Sequence, residues 1–241
     1  MRRSRRIDAI VVAVPARNEE CRITDSIASI LVAADAVGPR VTVAVSVAAD
    51  GCTDSTIQLL GVIADRTSTV RVVSGLWNCA GGARGAAVAN GIASLAAGGP
   101  IASQAIWIAT TDADSQVPSD WLTSQLRYAE SGHDAVAGIV ELHDDDDRTD
   151  ELINRFARNY SIGERTHTHV HGANMGIRAS AYAAAGGFPP VQRSEDRLLW
   201  NELVRLNFRV VSPVAVKVAT SGRLSGRAVG GFADAMANAW I

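Results

Sequence analysis

The sequence predicts an α/β fold, a mostly parallel sheet flanked by helices, and three observations carry that prediction. Short apolar, β-branched runs alternate with longer helical patterns from the start of the chain to about Glu141. Those runs lack period-two alternation, as expected of strands covered on both faces. Polar or glycine-rich clusters follow each run, where an open parallel sheet places its ligand.

The elements follow in order. Residues 7–14 ("IDAIVVAV") predict the first strand and 19–36 a helix; 41–47 predict the second strand and 54–64 a helix. The third strand is expected over 70–73, a Gly/Ala-rich helix over 83–97, the fourth strand over 106–109 and a helix over 120–130. Beyond this the pattern loosens. The acidic run "HDDDDRTD" at 143–150 predicts a solvated loop or helix entry, because neighbouring aspartates repel unless wet; a bound metal is the lesser alternative there. A helix over 151–160, a short helix at Ser180, a helix over 197–207 and a final helix in "GGFADAMANAWI" complete the expectation. No internal repeat or low-complexity linker interrupts the chain, so a single domain over 1–241 is expected.

Composition narrows the function. A hydrophobic content of 47% over 241 residues provides an ordinary globular core. The net charge of -2 gives no general attraction to nucleic acid. Cys21, Cys52 and Cys79 are odd in number and lack metal-ligand spacing, which argues against a disulfide framework or zinc site and for a reducing, cytoplasmic setting. No apolar run approaches the roughly 20 residues of a membrane span. The opening "MRRSRR" has no apolar stretch after it and does not read as a secretory signal. Arg2, Arg3, Arg5 and Arg6 favour a solvated terminus, with peripheral contact to an anionic membrane as the alternative.

The chemistry is expected in the clusters after the strands: "VPARNEE", "AADGCTD", "SGLWNCAGGARG" and "TTDADS". Most have a plain structural explanation. Asn18 and Glu19 can cap a helix, Asp54 can be an N-cap, and Gly81, Gly82 and Gly85 can be loop punctuation as readily as an anion cradle. "AGGARG" is not a dinucleotide fingerprint, lacking G-x-G-x-x-G and following the third strand, so a dehydrogenase is disfavoured. Asp112 and Asp114 resist the plain explanation best. Two carboxylates one residue apart at a strand end repel and lose hydration, which a hard divalent cation, Mg²⁺ or Mn²⁺, offsets while it also binds phosphate.

The ordered set "VPARNEE", "ADGCTDST", "GGARGAA", "TTDADS", "GANMGIR", "GGF" and "SEDRLLW" resembles the family 2 glycosyltransferases of GT-A fold, over about 10–200. The tail "ATSGRLSGRAVGGFADA" also looks like the ends of some bacterial members. The resemblance implies sugar transfer from a nucleotide-diphosphate donor to an acceptor hydroxyl, generally with a divalent metal, and leaves the acceptor and oligomeric state open. By similarity, Pro15, Arg17 and Glu19 would line the nucleotide pocket and Asp50 would bind base or ribose. Gly82 and Arg84 would lie near the nucleotide or its diphosphate; Asp114 would ligate the metal, and Asp112 would contact the ribose or the metal and its waters. About 7–115 would form the donor half and about 116–241 the acceptor half, with Gly172, Ala173 and Asn174 on the acceptor side.

In "SEDRLLW" the family's motif makes Asp196 the base and Glu195 the residue that orients the acceptor; a helix start favours anions there and would keep Asp196 ionised. Arg178 would pair with a phosphate or a neighbouring acid. His167, His169 and His171 alternate, so on an extended strand they share one face; solvated or acceptor-facing histidines are favoured over a metal site. No histidine follows Asp196 to serve as a late metal ligand, and Cys52 replaces the serine of the usual D-G-S-T-D without an expected change of turn. The end at Ile241 without an appended amphipathic or membrane segment, and the missing Q-x-x-R-W, disfavour a processive synthase. Two alternatives stand beside transfer: a haloacid-dehalogenase-like phosphatase using Asp112 covalently, and an inactive nucleotide-sugar-binding protein.

Overall fold

The computed structural model describes residues 6–142 and 162–221. The acidic run, the helix expected over 151–160 and the expected final helix lie outside them. The first half follows the expected order: β1 (Ala9–Ala16), α1 (Ile23–Val37), β2 (Thr42–Asp50), α2 (Thr56–Arg66), β3 (Val70–Gly75), α3 (Ala80–Ala96) and β4 (Ile106–Thr110). Next come β5 (Ser115–Gln116), α4 (Trp121–Glu130), β6 (Ala135–Ala137), β7 (Ile139–Leu142), β8 (Met175–Arg178), α5 (Ala179–Ala184), α6 (Glu195–Arg205), β9 (Val210–Val211) and β10 (Lys217–Thr220).

Seven strands form the main sheet in the order β3-β2-β1-β4-β8-β6-β9. The first four are parallel, with Ala16 opposite Ala49, Asp50 opposite Gly75 and Ala13 opposite Thr110, so their carboxyl ends open on one edge. β1 and β4 are apolar throughout because both faces are covered. Ile10, Val12 and Trp107 pack on the side of α1 and α4, whereas Val11, Ala13 and Ile108 pack on the side of α3. Gly91 lets α3 approach closely, since a Cβ there would lie 2.4 Å from Val11 Cγ1.

β8 breaks the parallel pattern. It runs antiparallel between β4 and β6, with Met175 opposite Thr110, so its start lies beside the end of β4. This reversal delivers Gly172–Asn174 to the same edge as Asp112 and Asp114. A second, three-stranded sheet, β5-β10-β7, lies behind that turn, and Ser115 Oγ donates to Thr220 Oγ1 at 2.9 Å. No helix among the described residues is long and apolar enough to cross a membrane.

Three local expectations are corrected. Gly81, Gly82 and Gly85 lie inside α3 rather than in a loop, because Cys79 Sγ accepts from the Gly82 N–H and starts the helix early. Asn18 and Glu19 do not cap α1, which begins at Ile23. Asp54 precedes the N-cap position Ser55, although its carboxylate still accepts from Thr56 N–H at 3.0 Å.

Candidate active site

The edge opened by the parallel strands is built from loops stitched to each other. Asn18 adopts a left-handed conformation (φ 55°), and its Oδ1 accepts from Thr53 N–H at 2.7 Å. Glu19 is buried, and its N–H donates to Thr56 Oγ1 at 2.7 Å. Cys52 Sγ lies 3.5 Å from both Asn18 N and Ala16 O, so the thiol takes the place of a hydroxyl in joining the β1 and β2 loops. Gly51 has φ 58°, and a Cβ there would press on Leu76 at 2.9 Å.

Asp50, at the end of β2, organises the next loop. Its Oδ1 accepts from the N–H groups of Trp77 at 2.7 Å and Asn78 at 3.0 Å, while Oδ2 faces Arg17 Nη1 at 3.8 Å. Pro15 sits half-buried at the end of β1 and Arg17 is exposed just beyond it. Pro15, Arg17, Glu19 and Asp50 thus lie on the joined loops at the ends of β1 and β2. Trp77 and Asn78, whose N–H groups Asp50 holds, carried no recognisable pattern in the sequence.

Asp112 and Asp114 leave β4 on a turn closed by Ser115 N–H donating to Asp112 O at 3.1 Å. Both carboxylates are partly exposed. Asp112 Oδ1 accepts from Arg84 Nη2 at 2.6 Å, and Arg84 Nη1 donates to Glu195 Oε1. Arg84 is only 3% exposed and lies 5.3 Å from the centre of the Phe188 ring. Burial opposes its charge, but Asp112, Glu195 and Asp196 outweigh burial and push the guanidinium pKa further up. Sequence reasoning singled out Arg84 without its partners, because Glu195 is 111 positions away.

Asp196 lies in the first turn of α6. Its Oδ2 accepts from Gly172 N–H at 2.8 Å and its Oδ1 from Arg197 N–H at 2.7 Å. The helix-start argument anticipates a depressed pKa, and the structure reverses the direction. Burial and the neighbouring Glu195 carboxylate raise it, outweighing Arg84 and the two N–H groups. Ser194, immediately before, has φ 59°, a conformation that costs a non-glycine residue on the order of 1–3 kcal/mol.

The acceptor-side expectations divide. Gly172 touches the site directly: its N–H holds Asp196, its carbonyl accepts from Thr110 Oγ1 at 2.6 Å, and a Cβ would lie 2.5 Å from Arg84 Nη1. Ala173 is buried beside Ile139 and Val140. Asn174 points inward with its amide committed: Oδ1 accepts from Trp121 Nε1, and Nδ2 donates to the carbonyls of Ile139 and Val216. Asn174 therefore braces the wall and does not face an acceptor. Arg178 is likewise buried, bonded to the carbonyls of Gln104 and Ala129 and 3.6 Å from Asp134. Of its two expected partners it takes the acid.

The three histidines do share a face, with ring centroids 5.9 Å apart along the column. Of the expected solvated or acceptor-facing rings, His167 is buried and not solvated, and His171 is half-buried, its pKa lowered to about 3 by burial and the neighbouring His169, His167 and Arg197. Parallel rings do not converge on one point, and among the described residues no group of three or more His, Cys, Asp or Glu side chains is arranged to hold a metal.

A two-carboxylate site still fits a hard cation. Asp112 Oδ2 accepts no hydrogen bond among the described residues, and three acids, Asp112, Glu195 and Asp196, face the single Arg84. Mg²⁺ or Mn²⁺ needs few protein ligands when waters and phosphate oxygens complete its shell.

Fold and edge together define an α/β protein whose parallel strands open their carboxyl ends on one edge, the place where such sheets bind ligands. The chain belongs to glycosyl transferase family 2, whose profile matches residues 11–185. The match ends before Glu195 and Asp196, which Arg84 and Gly172 tie to it. None of the curated proteins matches the chain in sequence. Among solved structures, TarS 1-349 from S. aureus in complex with UDP-GlcNAc superposes with a TM-score of 0.64 at 16% identity, covering 94% of this chain and 62% of that one. Mannosyltransferase PcManGT from Pyrobaculum calidifontis, in complex with GDP-Man and Mn2+, gives 0.62 at 19% identity, covering 92% and 59%. This chain thus spans about three fifths of the length of either. These likenesses bear out the α/β architecture, and the family match leaves no place for the phosphatase reading of Asp112.

Proposed function

We propose that the protein is a metal-dependent, inverting glycosyltransferase that moves a sugar from a nucleoside diphosphate donor to an acceptor hydroxyl. The observation that carries this is the convergence of Asp112, Glu195 and Asp196 on Arg84 at the carboxyl ends of β1, β2 and β4. Residues 7–115 form the donor half, with Pro15, Arg17, Glu19 and Asp50 bordering the nucleoside recess and Gly82 and Arg84 at the base of the diphosphate region. Residues 116–241 form the acceptor half. The three free cysteines support a cytoplasmic setting.

Asp114 and Asp112 would hold Mg²⁺ or Mn²⁺, which when bound neutralises charge growing on the leaving diphosphate. Asp196 faces the acceptor as general base. The acceptor oxygen bonds to the anomeric carbon from the face opposite the diphosphate, the C–O bond to the diphosphate breaks with its electron pair, and the hydroxyl proton passes to Asp196. The raised pKa of Asp196 suits this task, since a stronger base takes that proton more readily. Glu195 holds Arg84 and thereby fixes the first turn of α6. The solved relatives hold UDP-GlcNAc in one case and GDP-Man with Mn2+ in the other, which supports a nucleotide-sugar donor here.

Calorimetric titration with UDP- and GDP-sugars, with and without Mn²⁺, tests the reading. Binding of at least one donor, strengthened by Mn²⁺ and lost in Asp114→Ala, is expected. Failure of every nucleotide to bind under either condition would overturn it.

A further inference from the structure

Arg84 has more to do than hold one side chain. Its two terminal nitrogens are divided between Asp112 and Glu195, and its Nε, buried, has no hydrogen-bond acceptor. Phe188 lies 5.3 Å from the guanidinium carbon, and Gly172 leaves no space for even a methyl group beside Nη1. A guanidinium so confined has two carboxylates to choose between. One of them, Asp112, is half of the pair that fits a divalent cation, and its bonded oxygen is committed to Arg84 at 2.6 Å.

We propose that Arg84 is an internal counter-ion of the metal site: it occupies Asp112 while the site is empty of cation, and cation binding hands the guanidinium over to Glu195. This rests on the reading of Asp112 and Asp114 as cation ligands. The handover has a physical reason. A guanidinium and a divalent cation on one carboxylate repel each other, and burial weakens the screening that would otherwise make the repulsion small. Glu195 is the place for the displaced charge to go, being already bonded to the other terminal nitrogen. Glu195 is thereby the positioning residue of the donor site, acting on the metal through Arg84.

Mn²⁺ binding to the 241-residue chain without nucleotide, followed by electron paramagnetic resonance, separates this from a structural ion pair. Asp114→Ala should lose Mn²⁺. Arg84→Met should bind it more tightly by on the order of tenfold, because the competitor is gone. Glu195→Gln should bind it more weakly, since among the described residues Arg84 then keeps only Asp112 as a charged hydrogen-bond partner. Asp196→Asn is the control for charge alone: it removes a carboxylate that Arg84 feels but to which it donates no hydrogen bond. The handover predicts that Glu195→Gln weakens Mn²⁺ binding several-fold more than Asp196→Asn, and equal effects overturn it. Unchanged or weaker binding in Arg84→Met, with Asp114→Ala still losing Mn²⁺, also overturns it and leaves the metal reading intact. Should Arg84→Met not fold by circular dichroism, the comparison of Glu195→Gln with Asp196→Asn decides alone. Wild-type binding in Asp114→Ala would instead remove the metal reading itself.

Discussion

In the proposed reaction Asp196 carries the heaviest chemical burden of any single residue, and its environment makes a measurable claim. A base must be ionised to act, and burial beside Glu195 raises the pH at which Asp196 loses its proton. The acid limb of kcat/KM is therefore expected above that of an unperturbed aspartate, which titrates at about 3.9. Asp196→Asn is expected to keep donor binding and lose turnover by about 10²–10⁴-fold, read from initial rates. Equal turnover in mutant and parent would remove the base assignment. At this scale Asp112 and Asp114 stood out as paired carboxylates at a strand end, whereas Glu195 and Asp196 were singled out only through the resemblance to the family's motif. Arg84 was legible only as a name, and Asn174 misled: a small polar residue beside Gly172 gave no sign that Trp121 and two backbone carbonyls would consume its amide.

Helices and long strands were readable because periodicity needs length to show. The first four strands and the helices between them fall within a few residues of expectation. The strands of the second half run only two to four residues, too few for a period, and the reversal of β8 depends on partners far along the chain. The glycines of α3 were legible as glycines but not as packing devices. A Cβ on Gly81 would lie 2.1 Å from Pro189 O and 2.9 Å from Glu195 Cβ, so the residue lets the start of α3 lie against the start of α6. Gly81→Ala must separate the two, and an overpacking loss of about 1–3 kcal/mol is expected from urea unfolding. The extended segment of stacked histidines makes a second prediction. His171, lowered to about 3 when folded, takes up a proton far more readily once unfolded. Its contribution to stability is thus present above the unfolded value of about 6.5 and is lost as pH falls from there toward the folded value. His171→Gln is expected to soften the fall in melting temperature between those limits, and parallel curves for mutant and parent would contradict it.

At the scale of the whole molecule, the proposed reaction divides two jobs along one sheet edge. β1 to β4 open their carboxyl ends on one edge, and the reversed β8 brings Gly172 and, through it, Asp196 to the end of β4. Between the two, the described residues set three acids, Asp112, Glu195 and Asp196, around Arg84, although the chain as a whole carries a net charge of only -2. Such a place should bind a nucleoside diphosphate poorly alone, because phosphate meets carboxylate, and a divalent cation only modestly, because two carboxylates make a sparse shell. Together each supplies what the other lacks. Ligands that bind only the folded state raise its stability by about 2.7 kcal/mol at a hundredfold excess over Kd. For a chain of this size each kcal/mol moves the melting temperature by roughly 2–4 °C. The expectation is a rise with UDP or GDP plus Mn²⁺ that exceeds the sum of the separate rises by several degrees, and its disappearance in Asp114→Ala. Simple additivity in the wild-type protein would mean that nucleotide and cation do not meet between these halves, and the division of labour drawn from the sheet would have to be abandoned.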